Sequence, residues 1–305
     1  MNIIFFANGI FALNALESLV KSKHNILTVI TNEDKISGRG RKYQPTPIAK
    51  FSTENNLNLS KINFINDVKH VNYLKSFNAD IFVIISYKIL NKIIYSIPKY
   101  KSINIHASLL PNYRGAAPIQ RSIMNGDNIL GLTSFKLNSK IDSGDIIHQK
   151  KVKITDTTTY GEAHDLLSDL SGIFLLDTLQ KIENKIIYKH QLDKKNNYAT
   201  KILKEEYKIS LNAKSQNIHN SIRSLTPPGS YLIFNSKRVK IFDTYYKNVN
   251  IYKLNIGHFI IKEHILIIGC KYGHLTCKSL QFEGKKRTNI NDFKNMNYNS
   301  QAIFE

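Results

Sequence analysis

The chain has 305 residues with 43 Lys and Arg against 23 Asp and Glu, a net charge of +20. That length supports one large or two ordinary domains burying roughly three quarters of the unfolded surface, and its two cysteines, Cys270 and Cys277, exclude a disulfide framework and a cysteine-clustered zinc site. No apolar run reaches the length of a bilayer span, and "MNIIFFANGIFAL" carries neither a basic leader nor a small-residue cleavage site, so a cytoplasmic protein is expected.

Along the chain, "NIIFFA" reads as a strand, "IFALNALESLVKS" as a helix, "NILTVIT" as a strand, "VNYLKSFN" as a helix, and "DIFVIISY" and "SINIHASLL" as further strands. Apolar strands joined by helices predict an α/β domain with a Rossmann-like open parallel sheet, whose ligands bind beyond the carboxyl ends of the strands. Residues 131–154 predict two strands around a Ser-Gly turn, and "YGEAHDLLSDLSGIFLLDTLQKI" a long amphipathic helix. The first domain is placed at 1–189, a Lys- and Asn-rich linker at 190–207, and a second domain at 208–305. That last part opens with a helix, "SQNIHNSIRSL", breaks at Pro227–Gly229, and continues in short strands, which predicts a small OB-like β-barrel.

Charge is unevenly spread: residues 1–180 carry 21 basic and 14 acidic side chains, residues 181–305 carry 22 and 9. Compositional drift toward Lys and Asn would spread evenly, so the excess in the shorter part favours an anion-binding surface there.

Asn104, His106 and Asp142 form the sharpest chemical constellation. An amide donates to an oxygen that gains charge, a His moves a proton near neutral pH, and a carboxylate orients or charges that His, so together they suit acyl transfer without a covalent nucleophile. Spacing alone leaves open a purely structural His at a strand end. "SGRGRK" (37–42) offers glycines and fixed positive charge suited to phosphates, but it is not a dinucleotide fingerprint, which would join the first strand to its helix. "EGKKR" (283–287) is either a solvated turn or a contact to a phosphate backbone, and Arg114 either a solvated cap or a substrate contact.

"NIHASLLPNYRGAAPIQRSI" followed by "IDSGDI" resembles the signature of the folate-dependent formyltransferases, in detail those acting on methionyl-tRNA. "YATKILKEEYKIS", "IRSLTPPGSY" and "LQFEGKKRTNINDF" are similar to the linker and C-terminal patterns of the same enzymes. The resemblance implies formyl transfer from 10-formyltetrahydrofolate to the α-amine of initiator methionyl-tRNA by a monomer needing no metal. Asn104 would hold the formyl oxygen, His106 would assist proton transfer, and Asp142 would tune that His. Ser108, Leu109, Leu110 and Pro111 would wall the folate site beside Tyr87, while Arg39, Arg41, Lys42, Arg114, Lys285, Lys286 and Arg287 would meet tRNA. Two stretches depart from the pattern: Asn8-Gly9 stands where a Gly-Thr-Pro-like turn is usual, and Tyr87-Lys88 where Tyr-Gly is usual, which bears on folate affinity. A sugar-nucleotide N-formyltransferase would share the three catalytic positions. An RNA-binding protein with a decayed catalytic half would be free to lose them.

Overall fold

The computed structural model describes residues 1–37, 42–192, 198–294 and 303–305. The elements begin with β1 (Asn2–Ala7), a 3-10 turn (Ile10–Ala12), α1 (Leu13–Val20), β2 (Asn25–Thr31), β3 (Lys35–Ser37), β4 (Lys42–Gln44), α2 (Pro47–Glu54), β5 (Leu59–Lys61) and α3 (Lys69–Ser76). Next come β6 (Ile81–Ile85), α4 (Lys92–Tyr95), β7 (Ser102–His106), β8 (Arg114–Gly115), α5 (Pro118–Met124), β9 (Ile129–Lys136), β10 (Ile146–Lys153) and α6 (Tyr160–Glu183). The rest comprises β11 (Tyr198–Ala199), α7 (Ser215–Ser224), β12 (Tyr231–Phe234), β13 (Lys237–Lys247), β14 (Phe259–Lys262), β15 (Ile265–Gly269), β16 (His274–Phe282), β17 (Thr288–Asn289) and α8 (Ile290–Lys294).

Packing divides the chain into two compact units that are not continuous in sequence. Met1–Gly115, Leu130–Val152 and His164–Tyr198 make the first, and Ala116–Ile129, Lys153–Ala163 and Ala199–Glu305 the second. This differs from the expected contiguous domains because α5 packs on α7 and residues 153–163 are bonded to α7. His219 Nε2–H donates to the Asp156 carbonyl at 2.7 Å, and Arg223 donates to the carbonyls of Thr155 and Thr158 at 3.3 and 3.1 Å.

The first unit is built on a seven-stranded sheet in the order β10-β9-β7-β6-β1-β2-β5. β7, β6, β1, β2 and β5 pair parallel, the near-continuous apolar runs of β1 and β6 suiting strands covered on both faces, and β9 joins β7 antiparallel. The sheet is therefore mixed, which corrects the purely parallel expectation. No crossover helix within this unit links β7 to β9, so the strand returns antiparallel. One face buries Ile4, Phe6, Ile30, Phe82 and Ile84 against Val71, Leu74 and Ile94, and α1 contributes the buried Leu16 and Leu19.

In the second unit, β12-β13-β16-β15-β14 form an antiparallel sheet with β17 on β16. Among the described residues this pairing order is open, from β12 to β14, and closure into a barrel is not given by it. Its core holds Leu232, Val239, Ile241, Leu266, Ile268, Leu275 and Leu280 together with both cysteines. Burial pushes the thiols of Cys270 and Cys277 up to about 11 and about 12, which leaves them as unreactive packing. Among the described residues no helix is long and apolar enough to cross a membrane.

His219 gives the second unit a pH dependence. Burial is the chief cause holding its ring below the ordinary 6.5, so the unfolded chain takes up a proton that the folded one refuses. Its contribution to stability is full above 6.5 and lost as pH falls below that value. Urea unfolding between about pH 7.5 and about pH 5.5 should show a midpoint falling with acid, and His219→Gln should reduce the slope to the part left by His274, His24 and His148, whose ring pKa values burial also lowers.

Candidate active site

Asn104 and His106 occupy alternate positions of β7 and so share one face of the sheet. Asn104 lies in register with Ile84 and Phe135, and His106 with Thr133, at the carboxyl end of the strand. His106 is 7% exposed, and its Nε2–H donates to the Tyr113 carbonyl at 2.8 Å. Because a carbonyl only accepts, this bond leaves Nδ1 to face Asp142, whose Oδ2 is 3.7 Å away.

Asp142 reaches this point by an unexpected route. β9 runs antiparallel to β7 with Lys136 opposite Ile103, so the excursion 137–145 starts beside the beginning of β7 and must fold back to reach its end. Gly144 permits the fold: a Cβ there would lie 1.6 Å from the Lys136 carbonyl oxygen. The Gly115 N–H then donates to Asp142 Oδ2 at 2.9 Å. Tyr113 and Asp142 both adopt left-handed backbone, φ 60° and 48°. Such conformations cost about 1–3 kcal/mol each and gather where structure is spent on function.

Asn104 Oδ1 is buried and has no hydrogen-bond partner. An orphaned acceptor costs about 1–3 kcal/mol, which a ligand N–H would recover.

The strand leads into 108–111, where Ser108 and Leu110 are 3% exposed. Thr133 Oγ1 donates to the Ser108 carbonyl at 2.6 Å and accepts the Leu110 N–H at 3.1 Å, while Gln149 Nε2 donates to the Leu110 carbonyl at 2.8 Å. Leu110 packs with Phe135 and Ile146, whereas Leu109 and Pro111 are half-buried. Thr133 and Gln149, which fix this wall, carry no sequence signal of that role. Tyr87 lies edge-on to Phe6, and burial pushes its phenol up to about 12. The Tyr87 hydroxyl donates to the Ile62 carbonyl at 3.4 Å and Lys88 Nζ to the Asn63 carbonyl, so this unusual pair is anchored to the strand-following loop beside it. The other unusual turn is closed by Asn8, whose Oδ1 accepts from Asn32 N–H at 2.8 Å and Thr31 Oγ1 at 3.1 Å.

The basic candidates separate. Arg114 is 4% exposed, and its Nε and one terminal nitrogen donate to Gln191 Oε1 at 3.1 and 2.8 Å. Burial thus rules out the solvated cap, and the guanidinium expected to meet tRNA is engaged by Gln191. Gln191, placed in the expected linker, is 4% exposed as well and belongs to the core of the site. Arg287 ion-pairs with Asp243, donates to Ser279 Oγ at 2.8 Å and lies 4.4 Å over the Phe242 ring, so its charge is already committed, unlike an open phosphate contact. Lys285 and Lys286 are exposed on the turn, and Lys42 is exposed on β4. Arg39 and Arg41 lie outside the described residues. Among the described residues no group of three or more His, Cys, Asp and Glu is arranged to hold a metal ion.

An amide, an imidazole and a carboxylate thus stand at the carboxyl end of β7 in an open α/β sheet. Residues 1–179 match the family model described as formyl transferase, and residues 201–298 match the one described as formyl transferase, C-terminal domain. The chain belongs to the folate-dependent formyltransferases, enzymes of one-carbon transfer. It is 36% identical over 298 residues to a methionyl-tRNA formyltransferase of Sulfurihydrogenibium sp. (strain YO3AOP1), covering 96% of each chain. It is 34% identical over 298 residues to that of Thermotoga neapolitana, covering 97% of this chain and 95% of the relative. In fold it is similar to WlaRD, a sugar 3N-formyl transferase, with a TM-score of 0.69 at 23% identity, covering 94% of this chain and 99% of that one. It also resembles the methionyl-tRNA formyltransferase from Clostridium thermocellum, with a TM-score of 0.56 at 18% identity over 81% of this chain and 94% of that one.

Asn8→Ala should lower the stability of the first unit by about 1–3 kcal/mol, measured by urea denaturation, because the Asn32 N–H and Thr31 hydroxyl lose a shared acceptor.

Proposed function

We propose that this enzyme transfers the formyl group of 10-formyltetrahydrofolate to the α-amino group of initiator methionyl-tRNA. The observation that carries the reading is the buried, unpartnered Oδ1 of Asn104 on the same strand face as His106. That oxygen suits an N–H of the attacking amine, while the Nδ2 hydrogens of the same amide suit the formyl oxygen as negative charge collects on it. His106, with Nε2 committed to Tyr113, offers Nδ1 for the proton, and Asp142 Oδ2 at 3.7 Å stabilises it once it arrives. Ser108 to Pro111 and Tyr87 would hold the folate, which supplies an activated one-carbon acyl unit when bound. The fit of this wall rests on Thr133 and Gln149 fixing the backbone of Ser108 and Leu110 from behind, while the Ile62 carbonyl holds the Tyr87 hydroxyl.

The tRNA reading is supported by relatives of that name matching nearly the whole chain, and by exposed cations at Lys42, Lys285 and Lys286. Arg39 and Arg41 belong to the same proposal. We read the second unit as an OB-like surface for the nucleic-acid backbone and the enzyme as a cytoplasmic monomer. The rival acceptor is an amino sugar nucleotide, favoured by the higher TM-score to WlaRD; at 23% identity that likeness concerns the fold alone.

Purified protein should formylate methionyl initiator tRNA, and Asn104→Ala should lower kcat by about 10²–10³-fold. Formylation of amino sugar nucleotides alone would reject the tRNA reading, and tRNA binding without turnover would reject formyl transfer. Replacing Lys285 and Lys286 by Ala should reduce the slope of log K against log salt for tRNA by about 1–2. An unchanged slope would remove that turn from the interface.

A further inference from the structure

We propose that Gln191 and Arg114 act as a buried positioning device for the His106–Asp142 pair, a role that rests on the formyl-transfer reading above. The Gln191 amide makes four hydrogen bonds at 4% exposure. Its Oε1 accepts from Arg114 Nε at 3.1 Å and from an Arg114 terminal nitrogen at 2.8 Å. Its Nε2 donates to the carbonyls of Asp142 at 3.1 Å and Gly144 at 2.7 Å. Both hydrogens and both lone pairs of the amide are then in use, so it has nothing left to offer a ligand.

The consequence follows from what flanks Arg114. The preceding residue, Tyr113, presents the carbonyl that holds His106 Nε2, and the following residue, Gly115, presents the N–H that holds Asp142 Oδ2. Gln191 thus ties the loop bearing Asp142 to the three-residue segment that sets both the imidazole and the carboxylate. Asp142 is in left-handed backbone, which persists only where surroundings over-determine it, and Gln191 holds its carbonyl. Gln191 is itself aligned by the chain before it: Lys189 and Ile146 exchange two backbone bonds of 2.8 Å. The bidentate donation from Arg114 suits a guanidinium fork, and Lys cannot reproduce it.

A residue acting this way should change the chemical step without changing substrate affinity. Gln191→Ala should lower kcat by about 10–100-fold, with KM for the formyl donor and for the acceptor moving less than about twofold. In an Asp142→Ala background the same substitution should cost less than about twofold, because the group it positions is gone. Gln191→Glu keeps an acceptor for Arg114 but removes the donors to Asp142 and Gly144, and should behave as Gln191→Ala does. Nitrogen-15 spectra of the His106 imidazole, which need no substrate, should show the Nε2–H form in the parent and a mixture of tautomers in Gln191→Ala. A full loss of kcat in both backgrounds, or an unchanged imidazole spectrum, would overturn the proposal. If the parent enzyme formylates no amine, the formyl-transfer reading fails by itself, and the imidazole spectrum still decides the positioning role.

Discussion

The carbonyl of Tyr113 accepts the Nε2 proton of His106 at 2.8 Å, and since a carbonyl cannot donate, the neutral imidazole is held in one tautomer. The reactive geometry depends on that bond. It aims Nδ1 at Asp142, leaves Asn104 beside it on the strand face, and ties the end of β7 to the loop beyond Pro111. Tyr113, which presents this carbonyl, and Asp142, which faces Nδ1, both adopt left-handed backbone. Neither conformation is cheap for a residue with a side chain, so the rest of the site consists largely of restraints that hold the two in place.

Those restraints explain why so much polar chemistry is buried here. Thr133, Gln149 and Gln191 bond backbone groups of residues 108, 110, 142 and 144, Arg114 bonds the Gln191 side chain, and behind them stand the apolar strands β1 and β6. Asn104 Oδ1 is the exception, a buried acceptor without a partner among groups that otherwise have one. On the proposed reaction, this orphan oxygen is where a substrate N–H binds.

Much of this was legible in the sequence and some was not. Period-two spacing put Asn104 and His106 on one face, and near-continuous apolar runs marked β1 and β6 as buried strands. Asp142 was found as a residue type near a turn, but its route was hidden, because an antiparallel β9 starts the loop at the wrong end of β7 and only the close approach at Gly144 brings it back. Arg114 reads in sequence as either a substrate contact or a solvated cap, because nothing local reveals that a Gln 77 residues away covers it. Gln191 was invisible for the same reason: it stands in "YKHQLDKKNN", whose Lys and Asn content is that of a linker. α2 could have been seen, because Thr46 followed by Pro47 is an N-terminal helix signal and Thr46 Oγ1 does accept the Ala49 N–H. The mixed order of packing along the chain was not readable, since residues 153–163 join the second unit through carbonyl bonds to His219 and Arg223.

In the proposed reaction the central contact is that of the Asn104 side-chain amide with the formyl group. The direct measurement is the nitrogen-15 and proton resonance of that amide, followed as 10-formyltetrahydrofolate is added to the enzyme. A downfield shift of one Nδ2 proton, saturating with the donor, is the predicted result. An amide signal that stays fixed while resonances of the 108–111 loop report donor binding would contradict it.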